Sequence, residues 1–309
     1  MKIKQLLTLG YYEWKYYQIL KIFFPKHYQQ KKKNFNFQVR ERYLYQTGKS
    51  LFYRFPSDLN EKLHWLSRYW KNPLIVKCSD KYRVREYVTE CGLEEILIPL
   101  IGVYDNVNEI DFDSLPSKFV LKCNHGSGYN IICDDKEKFD KQTATKQLNA
   151  WILEDYVNVN LESHYSKIDR KIICEKYLDF SEAKSLIDYK VFCINGVPLF
   201  FELCAERDTY NRTIEVSTYS LEWEKISLLI NESKTKFCKP QLINDMIKYA
   251  EILSKPFPFV RVDFYYTYNK IFFGELTFTP CGNICYRFKN SSLKMIGNKL
   301  KLPQKLKSI

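Results

Sequence analysis

Two short apolar stretches near the C-terminal end constrain the fold most. Phe259 to Tyr266 and Lys270 to Leu276 each alternate in the manner of β-strands, and only the turn-like Tyr268-Asn269-Lys270 separates them. The pair therefore reads as an antiparallel hairpin. Along an extended chain Arg261 and Asp263 share a face, and so do Glu275, Thr277 and Thr279. Carboxylates on adjacent strands of one face make an oxygen-rich site suited to Mg²⁺, which prefers carboxylate and phosphate ligands and keeps several waters.

More strand signals lie upstream. Lys118 to Cys123 and Tyr129 to Cys133 flank a polar turn, Asn124-His-Gly-Ser-Gly128, and Lys171 to Glu175 is a further apolar strand. Asp188 to Ile194 runs into Asn195-Gly196, a hairpin signal, and then Pro198 to Cys204. A short strand is predicted over Glu95 to Pro99. Helices are predicted over 58–71, where Asp58 and Glu61 suit a capped start, and over 79–91, 140–156 and 240–254. Helices alternate with antiparallel hairpins without a strict βαβ beat, which predicts an α+β fold with more than one lobe.

Composition excludes several classes. With 45% hydrophobic and 27% charged residues the chain is not disordered, and 10 Gly with 11 Pro do not make a fibrous or low-complexity sequence. The ten cysteines show no CxxC pair and no zinc spacing. Cys133, Cys174, Cys193 and Cys204 sit in apolar runs and read as small buried hydrophobes, as in a reducing cytoplasm. No apolar run is long enough to span a bilayer. Residues 1–70 carry 14 Lys and Arg against 4 Asp and Glu, a net of +10, whereas residues 71–309 carry 34 against 32, a net of +2. A basic, aromatic segment ahead of a near-neutral body suits an anionic partner, such as an acidic glycan or the inner face of a membrane held peripherally. Nucleic acid is not expected, since the charge does not spread over one face of the body.

Four groups carry chemistry. Lys122 at a strand end, before the two glycines of Asn124, His125, Gly126, Ser127 and Gly128, suits a phosphate: glycine lets backbone N–H groups approach and lysine supplies a point charge. The Lys precedes the glycines, so this is not a Walker loop. Glu175-Lys176-Tyr177-Leu178 ends an apolar strand as a plausible hinge. Asp188-Tyr-Lys190 puts a second lysine on a strand. Arg207 and Arg212 lie in a polar stretch and suit a carboxylate.

The order of these groups resembles the ATP-grasp superfamily. The stretches CSDKYRVREYV, LPSKFVLKCNHGSGYNIIC, DYKVFCINGVPLF, PFPFVRVDFYY and FFGELTFTPCGN resemble its TupA-like family, named for teichuronopeptide biosynthesis, over about residues 56–290. The resemblance implies an ATP-grasp fold, with ATP between two α+β lobes. It divides the chain into a basic segment (1–56), a helical region (57–116), a small lobe (117–185), a large lobe (186–290) and a basic tail (291–309). It also implies ATP phosphates on Lys122 and Lys190 under the 124–128 loop, and adenine and ribose on Glu175 and residues 176–178. Mg²⁺ would sit on Asp263 and Glu275 with Thr277 beside them, and Arg261 would meet the transferred phosphoryl group. In the wider superfamily the position of Thr277 is commonly Asn. Asn283 is a candidate to compensate, and Cys281-Gly282-Asn283 replaces a glycine-rich end.

The implied activity is a carboxylate–amine ligase of surface polysaccharide synthesis, working through an acyl phosphate and joining an amine to a uronic-acid carboxylate. Arg83, Arg85, Arg207 and Arg212 are candidates for gripping the acceptor. The alternatives are a glycosyltransferase, for which Asp111-Phe-Asp113 is a poor DxD match, a nucleic-acid binder, and an ATP-binding domain without turnover.

Overall fold

The computed structural model describes residues 3–180, 187–206 and 214–306. Its strands are β1 (Leu100–Tyr104), β2 (Phe119–Cys123), β3 (Asn130–Cys133), β4 (Ile172–Lys176), β5 (Ile187–Ile194), β6 (Val197–Glu206), β7 (Ile214–Tyr219), β8 (Lys225–Ile226), β9 (Phe259–Thr267) and β10 (Lys270–Thr277). They form two antiparallel sheets, ordered β1-β4-β2-β3 and β10-β9-β5-β6-β7-β8. The fold is α+β, and each sheet has its own core.

In β2, Phe119, Leu121 and Cys123 point into the smaller core while Val120 and Lys122 take the other face. The central β4 is buried on both faces, which its Ile-Ile-Cys run allows. The larger core covers one face of the second sheet with the helix Ile243–Ser254, whose Met246, Ala250 and Leu253 are buried. Both hairpins turn as their residues demand: Asn195 and Gly196, and Tyr268 and Asn269, all have positive φ.

The predicted helix over 58–71 is Leu59–Tyr69. Asp58 accepts from the Glu61 N–H at 3.0 Å, and the Glu61 carboxylate accepts from the Ser57 N–H at 2.6 Å. Other boundaries differ from expectation. The span 79–91 is not one helix: Pro73–Ser79 ends at an extended Asp80, whose carboxylate accepts from the N–H groups of Tyr82 and Arg83 and starts Val84–Glu90. Residues 95–99 are not a strand. Glu94–Ile96 is a 3₁₀ turn, and pairing begins after Pro99, which has no N–H to donate. Helix 140–156 stops at Leu153, and Asp155 caps a separate turn, Tyr156–Asn160.

The expected basic tail instead opens with a helix, Asn290–Lys299. Its Leu293 and Ile296 join the larger core, and the Lys62 ammonium caps its last turn by donating to the carbonyls of Gly297 (2.7 Å) and Leu300 (2.8 Å).

The basic N-terminal segment folds as Ile3–Phe23, Pro25–Lys32 and Phe35–Thr47. Tyr17 and Leu20 face inward, with Tyr17 edge-on to Phe37. Val39, Tyr43 and Leu51 pack on Ile284, and Arg42 donates to the Asn160 carbonyl (2.7 Å) and side chain (2.6 Å), so the segment is docked on the body. Among the described residues no helix is long and apolar enough to cross a membrane.

Candidate active site

A polar row crosses four strands of the larger sheet. Glu275 of β10 lies opposite Asp263 of β9, which lies opposite Lys190 of β5, which lies opposite Glu202 of β6. Directly opposed residues share a face, so all four emerge on the same side. The register depends on Gly274. Counting from the turn, Phe273 opposes Phe264, but Asp263 opposes Glu275 and skips Gly274. Without that bulge Glu275 would oppose Val262 and point into the core. A Cβ at Gly274 would lie 2.9 Å from the Asp263 carbonyl oxygen, so the bulge needs glycine. The hairpin reading missed Gly274, although counting outward from the turn would have found it.

Charge is closely balanced along this row. Arg261 holds Asp263 with two hydrogen bonds, Nε to Oδ1 at 2.7 Å and Nη2 to Oδ2 at 2.6 Å. Lys190 is 3.4 Å from both Asp263 and Asp188. Burial works against the Lys190 ammonium, but Asp263 and Asp188 outweigh it and raise its pKa. Burial also works against the Glu275 carboxylate, yet Lys81, Arg261 and Lys190 hold its pKa down at about 2. The Thr277 hydroxyl donates to Glu275 (2.8 Å) and accepts from Arg261 (3.0 Å), so it acts by orienting Glu275. Glu202, unremarked in the sequence, is buried, and burial raises its pKa.

Lys81, also missed, joins the two sheets. Its ammonium donates to the Gly126 carbonyl at 2.6 Å and lies 3.8 Å from Glu275. The glycine loop of the small sheet is thereby held beside the acids of the large one. Within that loop Gly126 (φ +94°) leaves no room for a Cβ, which would meet the Tyr156 ring at 2.5 Å. Ser127 and Gly128 are exposed at the tip.

Asn124 and His125 do not reach that tip. The Asn124 side chain accepts from the Lys171 N–H and donates to Asp80 and the Asp169 carbonyl. His125 is buried against Tyr129 with Nε2 on the Trp151 carbonyl, and burial lowers its pKa. Both residues build the wall under the loop, so neither is placed to meet phosphate.

On the small sheet Lys122 pairs with Glu175 at 2.6 Å, and Arg85 approaches the other Glu175 oxygen at 3.5 Å. Arg85 is therefore committed to Glu175 rather than free for an acceptor. Beyond them Lys176, Tyr177 and Leu178 lead to Asp179, whose carbonyl accepts from Thr267 on β9, so the segment runs from one sheet to the other. Arg207 and Arg212 lie outside the described residues. Arg83 and Asn283 are not in the polar row; both line a separate cavity of about 1070 Å³. A smaller cavity of about 200 Å³ sits beside Arg261 and Lys190, with Glu202 and Arg287 in its wall.

Two facing carboxylates with an orienting hydroxyl suit Mg²⁺, which takes one or two carboxylates and draws its other ligands from water and phosphate. Among the described residues no three or more His, Cys, Asp or Glu are grouped so as to hold a metal ion. The Asp111–Asp113 pair is a turn of its own, with Asp111 accepting from the Asp113 N–H and Asp113 paired with Lys141.

Solved structures similar to the chain include a D-alanine–D-alanine ligase from Bacillus anthracis (18% identity, 65% of this chain and 57% of that one, TM-score 0.37). Others are an N5-carboxyaminoimidazole ribonucleotide synthetase in an ADP complex (16%, 74% and 51%, 0.43) and a D-alanine–D-alanine ligase from Helicobacter pylori (13%, 79% and 70%, 0.41). The chain thus spans little more than half the length of the first two. No curated protein matches it. The family model for TupA-like ATP-grasp proteins matches residues 61–301, and the chain belongs to that family.

Proposed function

We propose that the protein is an ATP-dependent carboxylate–amine ligase. The observation that carries this reading is the opposed pair Asp263 and Glu275, flanked by Lys190 and Arg261 and tied through Lys81 to the glycine loop of the other sheet.

A carboxylate is a poor electrophile because its leaving group would be oxide. Transfer of the ATP γ-phosphoryl group to it gives an acyl phosphate, which an amine attacks to release phosphate and form an amide. In this reading Lys122 and Lys190 carry the phosphates, with the Ser127 and Gly128 N–H groups above them. Lys176 to Leu178 border the base, and Arg261 faces the moving phosphoryl group. Mg²⁺ on Asp263 and Glu275 would offset phosphate charge when bound. The pocket walled by Glu202 and Arg287 has the scale of a single amino acid and the charges to hold its ammonium and carboxylate. The carboxylate belongs, in this proposal, to a uronic acid of a surface polysaccharide, and the reaction takes place in the cytoplasm.

ADP release from Mg-ATP, measured with amino acids crossed against uronic acids, tests this. Release that needs both co-substrates is expected; absence of ATP binding would refute it. ATP binding without turnover on any pair would favour a nucleotide-binding domain, the reading that Thr277 and the grip of Arg261 on Asp263 support.

Contact of residues 1–56 with an anionic membrane is part of the proposal. The outer face of Ile3–Phe23 exposes Tyr12, Tyr16, Ile19 and Phe23 beside Lys15. The protein is expected to float with vesicles rich in acidic lipid and not with neutral ones; equal recovery with both would refute the contact.

A further inference from the structure

The cavity of about 1070 Å³ contains none of the phosphate or metal residues: Lys122, Lys190, Asp263 and Glu275 are all absent from its wall. It is enclosed by Phe35–Thr47, Leu59–Tyr69, Pro73–Ser79 and the 161–167 segment, so the basic N-terminal segment supplies one side of it. It exceeds the roughly 300–1,000 Å³ typical of small-ligand sites.

Its chemistry is one-sided. Arg68, Lys71 and Lys167 line it, and among the described residues none of the three is ion-paired; Arg83 also lines it but has Asp80 as an acidic neighbour. Lys77 also lines it but is paired outward with Glu86 and Glu90. The one acid in the wall, Glu162, is tied to Thr279 and Asn160, and burial raises its pKa to about 7. Burial lowers the Lys71 pKa, as do the charges of Lys167 and Arg68. Like charges gathered without a counter-ion cost free energy in the free protein, a cost an anionic ligand would relieve.

The wall also holds aromatic rings. The Arg68 guanidinium lies over the rings of Tyr53 (4.9 Å) and Tyr69 (5.3 Å), and Trp70 and Phe35 are close by. Buried polar atoms of three lining residues, His64 Nε2, Arg68 Nε and Asn283 Oδ1, have no partner. The cavity wall also comes near the polar row: Glu162 in it feels the charge of Glu275. Phe278 and Thr279 line the cavity, and Thr277, which holds Glu275, lies two residues before Thr279, about 7 Å along an extended chain.

We propose that this cavity binds the acceptor as an acidic oligosaccharide, its carboxylates on Arg68, Lys71 and Lys167 and its rings beside the exposed Phe35 and the half-buried Tyr53. The term acceptor rests on the ligase reading; saccharide binding does not.

The test titrates the full-length protein, without nucleotide, with tri-galacturonic acid and with uncharged maltotriose, following Trp fluorescence and calorimetry. The acidic trimer is expected to bind and maltotriose not to bind. Arg68→Gln, and Lys167→Gln at an exposed position that puts no burden on folding, should each weaken binding about tenfold, the loss of one charge-assisted contact. Failure of the trimer to bind, equal binding of maltotriose, or unchanged affinity in both variants would overturn the proposal. ATP binding to the wild type is scored separately. Trimer binding without ATP binding keeps the cavity assignment and removes the ligase; ATP binding without trimer binding does the reverse.

Discussion

Glu275→Gln is expected to lower co-substrate-dependent ADP release by at least about a hundredfold, the scale of losing one preorganised charge contact at a transition state. Gln keeps the shape and can still accept from the Thr277 hydroxyl, so the change removes charge more than structure. What remains is Asp263 alone, both of whose oxygens already serve Arg261. Lys81 and Arg261 then face no acid at position 275, and the site repels a divalent cation as well as losing a ligand for it. Activity within a few-fold of wild type, in a variant that melts normally, would rule out this role. The pH dependence sharpens the test. Surrounding cations depress the Glu275 pKa from 4.5 to about 2 in the folded protein. Its contribution to stability is therefore complete above about pH 4.5 and lost as the pH falls through about 2. An acid limb in the rate between pH 5 and 7 should then persist unchanged when Glu275 is replaced, because it belongs to another group.

Four residues of the candidate site were legible in the sequence because strand alternation and a short turn are local signals. Asp263 and Glu275, Lys122 and Lys190 could be named from their strands, and the family's motif order agreed. The partners that complete the site were not legible in the same way. Lys81 follows a helix far from β10 in sequence, and only the tertiary fold brings it to Glu275. Glu202 looks like any strand glutamate until β6 sets it opposite Lys190. Asn124 and His125 looked like loop residues with polar side chains to spare. Their carbonyl and N–H partners, at Trp151, Asp169 and Lys171, come from two other segments. The cavity is less legible still, since its wall needs the N-terminal helices, the 161–167 segment and the end of β10 together. The last helix is obscured for a different reason. Asn290–Lys299 holds Asn, Ser and Gly, poor helix formers, and owes its helicity to packing against Leu59–Tyr69.

That packing gives the second large effect. Gly297→Val is expected to destabilise the protein by about 3 kcal/mol, read as a lower urea midpoint at unchanged slope. Intrinsic propensity argues the other way, because replacing a helical glycine with alanine gains up to about 1 kcal/mol. Geometry decides the sign. A Cβ at Gly297 would lie 2.6 Å from Asp58 C and 2.6 Å from Leu59 N, and both are backbone atoms that no rotamer change can move. The two helices must part. Parting them weakens the Asp58 cap on Leu59–Tyr69 and the grip of Lys62 on the carbonyls of Gly297 and Leu300. It also pulls Leu293 and Ile296 from the core. Gly297→Ala meets the same contact with a smaller group and should lose about 1 kcal/mol net, so the two variants form a series. A stabilised alanine variant would show that the helices do not touch there. Because Leu59–Tyr69 also carries His64, Ser67 and Arg68 into the large cavity, the valine variant should bind tri-galacturonic acid more weakly even at temperatures where it remains folded.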